Sequence, residues 1–275
     1  MTPIHRAMHR AMHWAQSWFW APLLAVQFLT RIPVRGIPQA TFDDPGAGRR
    51  ALVFFPLVGA LVGTIGAGVW AAARLLGLPP LASAVLAVSA TALTTGALHE
   101  DGLADVFDAL GTHTRERALE VMRDSRIGAF GSVALWSVLT LKACALSALP
   151  DSAAWRVLAC AHMAARWSSL PLALLLPDAR KGSGLGAGFA ALVTWREVAA
   201  ATAVTALAIA FLADGAEGVL FGAAALGAVF ASGLFYRRRF GGVTGDCLGA
   251  TNQGVEVLVL LIGAAHDPLF HSHLR

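Results

Sequence analysis

Leu81-Ala-Ser-Ala-Val-Leu-Ala-Val-Ser-Ala-Thr-Ala-Leu-Thr-Thr-Gly-Ala-Leu98 is an uncharged apolar run that ends abruptly on His99-Glu100-Asp101-Gly102-Leu103-Ala104-Asp105-Val106-Phe107-Asp108. The first part, at about 1.5 Å of rise per residue, is long enough to cross most of a hydrocarbon core of about 30 Å. The second places four carboxylates within nine residues of a chain that is only 14% charged. An apolar run that delivers acids to its end points to helices that cross a bilayer and carry their chemistry at one surface. On a helix at about 100° per residue, Asp101, Asp105 and Asp108 fall at i, i+4 and i+7 and share one face, with Glu100 on its flank. Like charges at that spacing repel by a few tenths of a kcal/mol per pair in water and by more near lipid, so the face calls for a cation.

Composition leads to the same class. The 275 residues are 56% hydrophobic with 28 glycines, and the mean hydropathy is +0.63. This is the balance of a polytopic membrane protein rather than of a soluble enzyme. The net charge of +4 does not indicate nucleic acid, because the basic residues form short clusters between apolar runs, as orienting charges do. The cysteines Cys144, Cys160 and Cys247 are scattered, with no CxxC spacing, so packing is their expected role. No cleavable signal peptide is expected, since Arg31 and Arg35 follow the first apolar run without a small-residue cleavage site.

In all, six runs reach crossing length: Ala51 to Leu76, Leu81 to Leu98, Ala129 to Leu149, Ala154 to Leu176, Val198 to Leu212 and Ala216 to Phe235, with a shorter seventh, Val255 to Phe270. The fold expected is therefore an all-α, polytopic membrane bundle of six to seven spans. Residues 1–30 form a separate basic and interfacial or re-entrant segment, because Arg6 and Arg10 precede its apolar stretch from Trp14 to Thr30 and Arg31 and Arg35 follow it. Within it, His5, His9 and His13 share a helical face beside Arg6 and Arg10, which reads as a basic amphipathic surface helix before it reads as a metal stripe. Residues 31–275 form one transmembrane catalytic domain.

If Arg49 and Arg50 are cytoplasmic, alternate hairpins return Arg115, Arg117, Arg123, Arg126, then Arg180, Lys181 and Arg196, then Arg237, Arg238 and Arg239 to the same side. That puts the acids and the Gly241 to Asn252 loop on the cytoplasmic face. Gly59-Ala-Leu-Val-Gly63, with Gly66 and Gly68, reads as a close helix contact rather than a phosphate cradle, since no Lys-Ser/Thr follows. Lys142 and Arg166 are cations inside apolar runs, which face a partner or cavity or else snorkel.

Three polar stretches then face one another. The acidic helix supplies Glu100, Asp101, Asp105 and Asp108. Met122-Arg-Asp-Ser-Arg-Ile-Gly-Ala-Phe-Gly131 supplies Arg123 and Arg126 around Asp124 and Ser125, two guanidiniums spaced to grip a pyrophosphate. Gly241-Gly-Val-Thr-Gly-Asp-Cys-Leu-Gly-Ala-Thr-Asn252 supplies Thr244, Gly245, Asp246 and Asn252, with backbone N–H groups free to meet an anion. The donors are oxygens, which suits Mg²⁺ or Mn²⁺ bridging carboxylates and substrate phosphates. Asp101, Asp105 and Asp246 are the expected metal ligands, Glu100 or Asp108 a further ligand or base, and Arg123 and Arg126 the phosphate contacts. The bland alternative is a paired, solvated rim.

At these residues the sequence resembles the membrane-embedded cobalamin synthases, the adenosylcobinamide-GDP ribazoletransferases. Leu98-His-Glu-Asp-Gly-Leu-Ala-Asp105 with Asp108, Met122-Arg-Asp-Ser-Arg-Ile-Gly128 and Gly241-Gly-Val-Thr-Gly-Asp246 with Gly249-Ala250 are similar to that family's signature blocks. Phe28-Leu-Thr-Arg-Ile-Pro-Val34 and Phe54-Phe-Pro-Leu-Val-Gly59 are similar to two earlier ones. The resemblance implies Mg²⁺-dependent transfer from adenosylcobinamide-GDP to the 5′-hydroxyl of α-ribazole, or to the phosphate form of that nucleoside. GMP is released and adenosylcobalamin or its phosphate is formed. It implies a bacterial inner-membrane enzyme with a cytoplasmic site, surrounded by lipid. A homo-oligomer and co-assembly with other enzymes of cobalamin assembly are further expectations. The acidic block is also loosely similar to the Asp-Gly-x-x-Ala motif of CDP-alcohol phosphotransferases, except that Asp105 stands where that motif has Arg. A transporter with an acidic ion site is the alternative of another class.

Overall fold

In this computed structural model, which describes residues 18–42, 44–180 and 191–266, the chain is helical throughout its ordered elements. These are α1 (Trp18–Leu29), the single turn α2 (Gln39–Phe42), α3 (Pro45–Val53), α4 (Phe55–Leu75), α5 (Pro80–Thr95), α6 (Leu98–Leu110) and α7 (Arg115–Val121). They continue with α8 (Ala129–Ala148), α9 (Asp151–Leu175), α10 (Trp195–Leu212), α11 (Gly215–Arg239) and α12 (Gly245–His266). The His5, His9 and His13 repeat and Lys181 lie outside the described residues.

The run from Leu81 to Leu98 does not continue straight into the acids. Gly96 and Ala97 both take left-handed backbone, at φ 64° and 57°, and the Ala97 N–H donates to the Ala92 carbonyl at 2.7 Å. This six-to-one closure ends α5 and satisfies its last carbonyls. α6 then leaves at 91° to α5. At 16 residues α5 covers about 24 Å, whereas the 13 residues of α6, buried along Leu103, Val106 and Ala109, run across the end of the bundle. α6 is therefore outside the spanning segments.

Five helices, α4, α8, α10, α11 and α12, are long and apolar enough to cross a membrane, and the bent α5–α6 pair counts as a sixth, with α5 as its crossing arm. α9 has the length, 25 residues, but its middle carries His162, Arg166, Ser168 and Ser169, all buried. A helix enclosed by other helices needs no apolar face toward lipid. α1, at about 18 Å, is too short to cross.

Glycine sets the closest contacts. A Cβ on Gly59 would strike the His162 carbonyl oxygen, and one on Gly63 would stand 2.5 Å from that of Leu158, so α4 and α9 touch backbone to backbone. The two ends of the bundle differ. At one, Arg74 pairs with Asp151 at 3.1 Å and Arg156 pairs with Glu217. At the other, Arg239 at the end of α11 donates to the Ala109 carbonyl at 3.2 Å and the Thr112 hydroxyl at 3.0 Å. That sets the end of α11 against the end of α6, and nearby Arg115 Nη2 lies 3.5 Å from the Ala179 carbonyl.

One element corrects the sequence reading. Gly241 to Asn252 reads as a loop before a short apolar run, yet α12 starts at Gly245. Thr244 caps it, accepting from the Cys247 N–H at 3.3 Å. Gly249 serves contact with α6, whereas Gly241, at φ 74°, and Gly242 stay in the turn that precedes α12.

Candidate active site

α6 crosses α12 where neither helix has a side chain between them. A Cβ at Gly102 would lie 2.9 Å from both Cα and the carbonyl oxygen of Asp246, and one at Gly249 would lie 3.3 Å from Cα of His99. That approach sets exposed Asp101 and half-buried Asp105 beside Asp246 in the first turn of α12, where the helix dipole favours an anion. Residues 177–180 are tied to the same place by a parallel bridge: Val243 N–H donates to the Pro177 carbonyl and Ala179 N–H to the Val243 carbonyl, each at 2.9 Å. The bridge delivers Arg180, whose Nη2 donates to Asp246 Oδ2 at 2.6 Å and to the Met122 carbonyl at 3.2 Å. The Thr244 hydroxyl donates to the same Asp246 oxygen at 3.2 Å.

One guanidinium facing three carboxylates leaves the cluster negative. The Asp105 carboxyl is pushed up to about 7, first by burial and then by Asp246 and Asp101, against the pull of Arg180. Such mutual repulsion among oxygen donors fits a bound Mg²⁺. Among the described residues no group of three His, Cys, Asp or Glu side chains is arranged to hold a metal by itself. An ion here would take one or two carboxylates and complete its shell with water and substrate oxygens, the usual habit of Mg²⁺.

The remaining sequence candidates are placed differently. Asp108 does not join the cluster: its oxygens accept from the Gly128 and Gly131 N–H groups at 2.7 and 2.8 Å, capping α8. Glu100 turns into the bundle, accepting from Gln253 Nε2 at 3.1 Å. Asn252 is buried, donating to Ser169 Oγ at 2.7 Å and to the Leu248 carbonyl at 2.8 Å. Asp124 pairs with Arg126 at 2.6 Å on the surface, and the Arg126 hydrogen bonds pull its carboxyl down to about 2. Ser125 and Arg123 are exposed beside them, and Gly245 is exposed at the start of α12. Arg180, which the sequence reading treated only as an orienting charge, is the guanidinium that the structure brings to the cluster.

Beneath the cluster lies a buried ionic network. Lys142 reaches Gln253 and Glu256, and Glu256 also receives Arg166 and stands 2.9 Å from His162 Nδ1. Arg166 Nη2 lies 3.4 Å from His99 Nδ1. Both cations flagged in the sequence thus face partners, and adjacent His99 and Glu100 are held by α8, α9 and α12 together. The next residue is Asp101, so the network fixes where the acidic face begins.

A sequence model of the cobalamin-5-phosphate synthase family matches residues 21–264. The chain belongs to that family. It is 44% identical over 250 residues, 88% of its own length and 92% of the relative's, to an adenosylcobinamide-GDP ribazoletransferase of Bradyrhizobium diazoefficiens. It is 39% identical over 244 residues, 87% and 92% of the two chains, to the protein so named in Ralstonia nicotianae. It is 41% identical over 245 residues, 88% and 91%, to that of Mesorhizobium japonicum. No solved structure matches it. In this cobalamin-5-phosphate synthase family member the blocks that carried the resemblance meet at one place. Phe28, Phe55, Asp101, Arg180 and Asp246 all line a cavity of about 420 Å³ beside the α6–α12 crossing, and Met122 of the arginine block holds Arg180.

Proposed function

We propose that the chain catalyses the final assembly of cobalamin, joining α-ribazole or its 5′-phosphate to adenosylcobinamide-GDP with release of GMP. The observation that carries this is the α6–α12 crossing, which sets Asp101, Asp246 and Arg180 in the wall of one cavity with Asp105 close behind them. A hydroxyl of the acceptor ribose attacks the phosphorus that bears cobinamide, the bond to the second phosphoryl oxygen breaks, and GMP departs. When the acceptor is already phosphorylated, its 5′-oxygen is esterified and is retained as such in a cobalamin 5-phosphate, so a secondary ribose hydroxyl is the nucleophile in that case. Arg180 meets the pyrophosphate oxygens. Of the three carboxylates, one not engaged with metal accepts the hydroxyl proton. Mg²⁺ would be held by one or two of Asp101, Asp105 and Asp246, and when bound it supplies charge neutralisation to the phosphoryl oxygens.

The basic clusters at the site end support a cytoplasm-facing site in an inner membrane by the positive-inside rule, with lipid around the apolar helices. A transporter would carry its acids at mid-membrane between repeats, whereas these sit at the bundle's end. A CDP-alcohol phosphotransferase shares the logic but not the family. The test is GMP release from purified protein given Mg²⁺ and both substrates. Asp101→Asn and Asp246→Asn should each lower turnover by about 100-fold or more; full turnover in both would refute the site. The mass of the detergent-solubilised particle tests the expected homo-oligomer, and co-purification tests association with other cobalamin-assembly enzymes.

A further inference from the structure

The cavity beside Asp101 has a lining of two kinds. Asp101, Arg180 and Asp246 are its charged residues, and Phe28, Phe55, Leu98 and Leu248 give it apolar surface. Phe28 and Phe55 stack with centroids 5.6 Å apart and planes 24° from parallel. Phe55 is buried, whereas Phe28 is 46% exposed and offers ring surface. Both rings come from sequence blocks, Phe28 to Val34 and Phe54 to Gly59, that the metal-and-phosphate chemistry leaves unused. Gln27, beside Phe28, is an exposed polar side chain in the same lining, whereas the polar lining residues His99 and Ser169 are buried and engaged by Arg166 and Asn252.

An aromatic wall within a nucleoside's length of a phosphoryl-transfer site suits a flat heterocycle whose sugar carries the reacting hydroxyl. Volume separates the candidates. About 420 Å³ accommodates a nucleoside, on the order of 250 Å³ at ordinary packing density, but not a corrinoid several times larger. The guanosine of the donor is of similar size, yet guanine brings an amide and an amino group that need several partners when desolvated. A fused benzene–imidazole base has one free ring nitrogen, and Gln27 offers one amide donor for it.

We propose that this cavity seats the fused-ring base of the acceptor nucleoside against Phe28 and Phe55, with Gln27 on its ring nitrogen and its ribose toward Asp101. The assignment rests on the transferase reading above for the identity of the nucleoside. It assigns acceptor selection to the N-terminal helix α1.

The test is direct binding of α-ribazole to the full chain in detergent, without donor, by equilibrium dialysis, together with steady-state kinetics. Phe28→Ala should weaken α-ribazole binding about tenfold to a hundredfold, the usual worth of one base–aromatic stack. The acceptor KM should rise in proportion while the donor KM stays within twofold, and Phe28→Trp should restore both. Gln27→Leu, at an exposed position, should weaken nucleoside binding several-fold and serves if Phe28→Ala does not fold. Unchanged α-ribazole binding in the folded variants, no binding to the wild type, or a rise in donor KM in place of acceptor KM would overturn the proposal. If the wild type released no GMP, the transferase reading would fail, and the dialysis would still decide this site.

Discussion

Alanine at position 102 adds one carbon where α6 crosses α12. That Cβ would stand 2.9 Å from Cα and from the carbonyl oxygen of Asp246, and 3.3 Å from its carbonyl carbon. Carbon contacts settle at about 3.5–4.0 Å, so the helices must part by about 0.6 Å or more. The obstructing atoms are backbone, and no rotamer change relieves them. Overpacking of this kind costs about 1–3 kcal/mol. The displacement acts on the gap between Asp101 and Asp105 on one helix and Asp246 on the other. A 1 Å misplacement in a reacting site can cost about 100-fold, so Gly102→Ala should lower kcat about tenfold or more and raise the Mg²⁺ concentration for half-maximal rate. Initial rates of GMP release give both values. Thermal unfolding, followed by labelling of buried Cys160 and Cys247, gives the stability change in parallel. Gly68 is the control, because a Cβ there meets nothing within 4 Å; alanine should leave kcat unchanged and gain up to about 1 kcal/mol of helix propensity. A Gly102→Ala enzyme with kcat and Mg²⁺ dependence within twofold of wild type would refute the claim that this crossing sets the site.

Glu256→Gln leaves Lys142 and Arg166 buried with less countercharge and should destabilise the protein by about 3–5 kcal/mol. Adding Lys142→Met should recover at least about 1 kcal/mol, whereas strictly additive losses would show that the pair does not couple. Asp108→Ala removes the two-pronged cap on α8 and should cost about 1–2 kcal/mol with kcat kept within a few-fold; loss of turnover at unchanged stability would return Asp108 to the chemistry. With a chelator present, folded Asp105 holds its proton to about 7 while the unfolded carboxyl releases it near 3.8. Stability should therefore fall as pH rises across that window and level off above it, since the folded state binds more protons there. Asp105→Asn should flatten the slope in melts at pH 5 and 8, and an unchanged slope would count against the like-charge cluster.

The spans, the shared end of the basic clusters and the acidic helix were legible because hydropathy and charge density are local properties of the chain. Pairing is not local. Lys142 and Arg166 stand out in any apolar run, but Gln253 and Glu256 lie 111 and 114 residues beyond Lys142, and nothing in either stretch names the other. Glu256, near the start of a final apolar run whose other acid is Asp267, was the available hint. Arg180 sits in a basic connector and looks like an orienting charge until the bridge to Val243 carries it to Asp246. Asp108 shows why a helical-face argument falls short. It shares the angle of Asp101, but seven residues advance about 10 Å along the axis, past the reach of the α12 start and onto the first N–H groups of α8. Angle selects the acids that can face one partner, and axial distance selects those that do. Gly102, between Asp101 and Asp105, fixes that distance by marking where α12 crosses, so the residue without a side chain decides which of the carboxylates form the site.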